Sequence, residues 1–144
     1  MAIVGFNFEK ISAEKKDAIK GKIDIKNNVS IDNVDEKKIS FGSDKQKVLS
    51  FTFEFTSKYD PEVALIRLVG DVLYMEEAKK AKDIIDGWRK DKRLPKDIVP
   101  SILNAILNKC HIQALFLSEQ INLPPPVQLP NLQFQQKSED TGVR

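Results

Sequence analysis

VLSFTFEFTSKYDPEVALIRLVGDVLYM, residues 48–75, decides how this chain folds. Leu49, Phe51, Phe53 and Phe55 recur at period two, with Ser50, Thr52, Glu54 and Thr56 between them. Successive side chains of a strand point to opposite faces, so the pattern predicts a strand with one buried face and one wetter face. Ser57-Lys58-Tyr59-Asp60-Pro61 reads as a turn cluster. From Val63 to Tyr74 apolar residues then occupy both parities, with Val63, Leu65, Val69 and Leu73 on one and Ile66, Leu68, Val72 and Tyr74 on the other. If helices of the same chain cover only one face of such a strand, the other face needs a cover from outside.

The 144 residues suit a single domain with one proper core. Lys and Arg number 23 against 21 Asp and Glu, and a net charge of +2 does not mark a nucleic-acid binder. One cysteine, Cys110, rules out an internal disulfide framework and makes a reducing cytoplasm the default location. No basic segment followed by an apolar core opens the chain, so no signal peptide is expected. The longest apolar run, residues 98–117, is interrupted by Ser101, Asn104, Asn108, Lys109, His111 and Gln113, which argues against membrane insertion.

Ahead of the central stretch, residues 3–10 alternate, with Val4, Phe6 and Phe8 on one face and Gly5, Asn7 and Glu9 on the other. This predicts a strand, ended by a polar break at 12–16. Ile19, Ile23 and Ile25 alternate with charged residues and predict a second half-buried strand. Asn27-Asn28 reads as a bulge or turn, and Val29, Ile31, Val34, Ile39 and Phe41 as a weaker continuation. Gly42-Ser43-Asp44 supplies the next turn.

Behind the central stretch the period changes to that of a helix. A first helix is expected to start at Glu76 and end at Leu94-Pro95, with Ala78, Ala81, Ile84, Ile85 and Trp88 in one apolar stripe. Acids at its start and Arg89, Lys90 and Lys92 near its end complement the helix dipole. A second helix begins near Asp97 as cap, with Pro100 tolerated in the first turn. From Ile98 to Ser118 its only charge is Lys109, so it reads as buried on more than one side, one of them against a second copy of the chain. Leu123-Pro124-Pro125-Pro126-Val127-Gln128-Leu129-Pro130 is too rich in proline for helix or central strand and reads as an extended strap over the core. The polar tail 133–144 is expected to be disordered, leaving a domain over 1–132.

Reactive constellations are sparse. Cys110 and His111 are neighbours, which a helix sets about 100 degrees apart, so they do not face one another. Neither a thiol nucleophile nor a zinc site is expected, and Cys110 reads as a small buried residue. The six glycines stand alone, without a phosphate-binding loop, so no cofactor, metal or catalytic residue is assigned. Gly70 reads as a bulge or close packing point. The basic cluster Arg89-Lys90-Asp91-Lys92-Arg93 fits a helix end, with an RNA-associated adaptor as the competing reading.

The glycine-bearing strand Ile66-Arg67-Leu68-Val69-Gly70-Asp71-Val72-Leu73-Tyr74 leading into two helices, with the LPPPVQLP segment behind them, resembles the SecB-like chaperones, in particular the small archaeal-type branch. The resemblance spans residues 3 to about 132 and rests on hydrophobic pattern and element order. It implies an α+β fold, a four-stranded antiparallel sheet with two carboxyl-terminal helices on one face. It further implies a homo-tetramer built as a dimer of dimers and ATP-independent capture of unfolded polypeptides, linked in relatives to export or to toxin–antitoxin pairs. The bacterial export chaperone is strongly acidic where this chain is slightly basic, so docking to its motor is not carried over.

On that reading Phe51, Phe53, Phe55, Tyr74, Trp88 and Phe116 are expected to bind clients. Ile102, Ile106, Leu107 and Leu115 are expected at the interface between copies. The alternative, an adaptor using the basic helix end, differs by its salt dependence.

Overall fold

A computed structural model describes residues 2–18, 21–38 and 45–127. Four strands, β1 (Ala2–Lys15), β2 (Asp24–Lys37), β3 (Gln46–Asp60) and β4 (Ala64–Glu77), precede two helices, α1 (Ala78–Asp91) and α2 (Val99–Gln120). The strands form one antiparallel sheet in the order β1-β4-β3-β2. The central pair is the stretch on which the sequence pattern is strongest.

Register assigns the faces. Leu49, Phe51, Phe53 and Phe55 of β3 stand opposite Tyr74, Val72, Gly70 and Leu68 of β4, and this row is buried with the apolar stripes of both helices. The other face carries Leu65, Val69, Leu73 and Met75 of β4, all half-buried. Between them Arg67 pairs with Glu54, and Ser50 donates a 2.9 Å hydrogen bond to the Asp71 carboxylate. β4 is therefore apolar on both faces, as its sequence requires.

Several boundaries differ from the sequence reading. β1 does not stop at residue 10: Ser12, Ala13, Glu14 and Lys15 continue its ladder against Arg67, Ile66, Leu65 and Ala64. Its irregularities are instead register shifts between Ile3 and Gly5 and between Phe8 and Lys10. Asn27 and Asn28 are in register with Ser57 and Thr56, and the bulge of β2 falls between Ile31 and Asn33. β3 runs through the proposed turn to Asp60, and the chain reverses at Pro61 after a cis Asp60-Pro61 peptide. Ile19, Ile39, Phe41, the 42–44 turn, residues 128–130 of the strap and the 133–144 tail lie outside the described residues.

Gly70 is a close packing point, and the bulge nearby belongs to its partner strand. A Cβ at this position would collide with the Asn7 carbonyl oxygen of β1 and come within 3.0 Å of the Phe53 ring. α1 starts two residues later than the charge pattern indicates, because Glu76 and Glu77 are still paired with Lys47 and Gln46 of β3. It ends at Lys92, whose φ of 58° turns the chain out of the helix before Leu94-Pro95 is reached. Asp97 does not cap α2; it accepts a 2.7 Å hydrogen bond from Lys80 of α1 and so pins the inter-helix loop.

Candidate functional site

α2 buries one stripe, Ile102, Ile106, Cys110, Ala114 and Ser118, spaced four residues apart. A helix lying on a sheet covers about that width, whatever the hydrophobicity of its remaining faces. Leu107 and Leu117 pack partly against the core, and two apolar residues stay outside: Ile112 is 68% and Phe116 57% exposed. Isolated exposed apolar residues are ordinary, but these two lie four apart on one helix face and so form a pair.

Two contacts orient this face. The Lys109 ammonium sits over the Phe6 ring of β1, and Lys15 at the end of β1 donates to the Ile121 carbonyl just past the helix. α2 therefore runs along β1 in the same direction, with Ile112 and Phe116 on the Lys109 side of the helix, beside the span of β1 that contains Ile11. Ile11 is 45% exposed, and Ile3 and Val4 are exposed farther along this edge strand. An edge strand with exposed apolar residues and an exposed apolar helix face thus lie on the same flank of the molecule.

The expected client residues separate. Phe51, Phe53 and Phe55 have no exposed surface, because α2 and α1 of the same chain cover them, so the aromatic row is the core and offers nothing to a client in the single chain. Tyr74 is buried against Phe51, and Trp88 is buried under the Lys92 ammonium. Phe116 alone of the six is exposed. Among the expected interface residues, Ile102 and Ile106 are wholly buried in the chain's own core, while Leu107 and Leu115 are half-buried on the flank of α2. The sequence reading missed Ile11 and Ile112: Ile11 falls next to a bulge that shifts the alternation, and the helical pattern by itself does not say which stripe meets the sheet.

At the other end of α2 the chain leaves through Asn122, with φ of 57°, whose amide donates to the Glu119 carbonyl while the Leu123 amide donates back to Ser118 at 2.8 Å. These paired bonds are the usual left-handed helix stop, sealed by burial of Leu123. Residues 123–127 of the proline segment follow, neither helix nor paired strand and bending at 126–127. The Tyr59 hydroxyl donates to the Pro124 carbonyl at 2.6 Å, and the Asn27 amide donates to the Pro126 carbonyl at 2.9 Å. Ser57 donates to the Asn27 side-chain oxygen at 2.5 Å, which fixes the orientation of that amide. Burial pushes the Tyr59 phenol up to about 12.

Cys110 and His111, neighbours in sequence, have different surroundings. Burial pushes the Cys110 thiol up to about 12, which removes the thiolate that reactivity requires. His111 packs edge-on against Phe55 with ring centroids 5.8 Å apart. Among the described residues no three His, Cys, Asp or Glu side chains group in a way that would hold a metal ion. No helix among them is long and apolar enough to cross a membrane.

Comparison with protein-family models gives no match, and no curated protein matches in sequence. Solved structures do match. The Mycobacterium tuberculosis SecB-like chaperone Rv1957, solved in complex with a ChAD peptide from the Rv1956 HigA1 antitoxin, superposes with a TM-score of 0.56 over 91% of this chain and 89% of its own, at 12% identity. The class defined by the architecture is an α+β fold, an antiparallel four-stranded sheet followed by two helices. In particular, it is the fold of that SecB-like chaperone.

Proposed function

We propose that this chain is an ATP-independent holdase, a non-enzymatic protein that captures unfolded polypeptides on its apolar surface. The observation that carries the reading is the exposed apolar surface of α2 and the β1 edge strand, Ile112, Phe116 and Ile11, in a fold shared with a chaperone solved with a peptide bound. An extended segment at such a place gains main-chain hydrogen bonds from the strand edge and apolar burial from the helix, neither of which demands a particular sequence. Burying a Phe or Ile side chain is worth roughly 1.5–3 kcal/mol, so useful affinity needs several modest contacts.

The finer parts of the reading are these: a SecB-like domain over residues 1–132, of the archaeal-type branch, working in the cytoplasm as a homo-tetramer. Multivalency across copies raises apparent affinity without new chemistry. Leu107 and Leu115 on α2 and the half-buried outer row Leu65, Val69, Leu73 and Met75 are the apolar positions from which copies would be joined. A link to export or to a toxin–antitoxin pair belongs to the same reading and is supported only by what the family and its solved member do.

Light scattering of an aggregating model protein tests the function, and mass in solution tests the assembly. The expected result is suppression of scattering without nucleotide by a particle heavier than one chain. Undiminished scattering at a several-fold excess of this protein overturns the holdase reading.

A further inference from the structure

We propose that Asn27, Ser57 and Tyr59 form a subsite for extended, proline-rich peptide backbone, and that residues 123–127 fill it in cis as a built-in competitor. Both donors address main-chain carbonyls of the strap. Tyr59 reads the carbonyl of Pro124 and Asn27 that of Pro126, alternate residues of a run that is neither helix nor paired strand and bends at 126–127. A polyproline II segment has no internal hydrogen bonds and presents its carbonyls freely, so two outward donors suffice to hold it. Its prolines bring no amide hydrogens that burial would leave unpaired.

The donor positions are set within the sheet. Asn27 and Ser57 are partners across the β2–β3 ladder, and the Ser57 hydroxyl leaves the Asn27 amide free to donate away from the sheet. Tyr59 is two residues along on the same face, opposite Ile25, and has no exposed surface. Leu123 and Pro126 are the buried anchors, whereas Pro125 between them points to solvent. This is recognition of backbone and shape, the chemistry that fits an extended proline-containing ligand. A tethered strap competes at an effective concentration on the order of millimolar, so an external peptide enters only when the strap is loosened or the peptide is abundant. The inference deepens the holdase reading, because the strap then occupies ground that an extended client would otherwise use.

The test uses the full chain and a fluorescein-labelled peptide, INLPPPV, matching residues 121–127. Leu123→Ala loosens the strap by removing its anchor. The expected result is that peptide anisotropy reports tighter binding to Leu123→Ala than to the unaltered chain. Adding Tyr59→Phe, which keeps the ring and removes one hydrogen bond, should weaken that binding by roughly three- to ten-fold. Equal binding with and without the Tyr59 hydroxyl, or no gain from Leu123→Ala in a chain that keeps its far-ultraviolet spectrum, overturns the proposal. Should Leu123→Ala fail to fold, hydrogen exchange of the unaltered chain in millimolar peptide decides: exchange within 121–127 should rise, and no change overturns the proposal. Suppression of aggregation is read separately, so the subsite can fail while the holdase reading stands, and the reverse.

Discussion

Phe53 and Gly70 face each other across the central strand pair, and the Phe53 ring lies where a side chain at position 70 would go. The same vacancy lets the Asn7 carbonyl of β1 approach β4, so one missing Cβ seats both an aromatic core residue and an edge strand. Gly70→Ala is expected to destabilise by about 1–3 kcal/mol, toward the upper end because a backbone carbonyl has to shift. Urea unfolding should show a lower midpoint, and hydrogen exchange should rise along β1. An unchanged midpoint would mean that β1 stands farther from β4 than described.

The two phenylalanines the sequence put in one group are expected to behave oppositely. Phe53→Asp places a carboxylate in a wholly buried site, and even truncation there to alanine costs about 3–5 kcal/mol out of the roughly 5–15 kcal/mol that holds a domain together. It should unfold the chain, seen as loss of the near-ultraviolet spectrum. Phe116→Asp, on a residue 57% exposed, should change stability by no more than about 0.5 kcal/mol. It should nevertheless weaken suppression of aggregation several-fold. A folded Phe116→Asp chain with full suppression would remove the exposed face of α2 from the proposed function.

That contrast shows what the sequence makes legible. Period two in residues 49–55 says that one face of β3 is buried, and the structure agrees. It does not say by what, because α2 is more than forty residues away and its own pattern is apolar nearly all round. Only packing picks Ile102, Ile106 and Cys110 as the inward stripe and leaves Ile112 and Phe116 outside. The strand-to-helix boundary is hidden for a related reason: Glu76 and Glu77 look like a helix start, yet pairing with β3 holds them in the sheet. Asp97 has the chemistry of a cap and spends it on Lys80. Proline content made the strap legible, but Tyr59 and Asn27 hold it from 65 and 99 residues away, beyond any local pattern.

The buried phenol gives a pH dependence with a definite sign. Tyr59 is raised to about 12, and Tyr74 is raised as well, first by burial and then by the nearby Glu76 carboxylate. A group whose folded pKa lies above its unfolded value binds its proton more tightly in the folded chain. Its contribution is therefore complete below the unfolded value near pH 10 and is lost as pH rises toward 12. Absorbance of tyrosinate should appear late and together with unfolding. Tyr59→Phe should flatten the fall in stability above pH 10, at the expense of the hydrogen bond to Pro124. If half the tyrosine absorbance titrates near pH 10 in a folded chain, Tyr59 is more open to water than its burial indicates.

Salt separates capture by the exposed face of α2 from attraction by the end of α1. Arg89, Lys90, Lys92 and Arg93 are the cations that an adaptor would turn toward a nucleic acid. Lys92 instead lies 5.2 Å above the Trp88 ring, and Arg89 shares a shallow surface pocket with Asp86 and Glu36. If those four charges bound single-stranded nucleic acid, counterion release would make affinity fall roughly fifty-fold between 50 and 200 mM salt. Apolar capture behaves differently, since salts that are excluded from protein surface strengthen burial. Half-maximal suppression of aggregation should therefore stay constant or improve over the same range, and sulfate should help more than chloride. Replacing Arg89 and Arg93 with glutamine should leave it unchanged. A steep loss of suppression with salt, together with sensitivity to those two arginines, would move the working surface from α2 to the end of α1 and with it the class of partner.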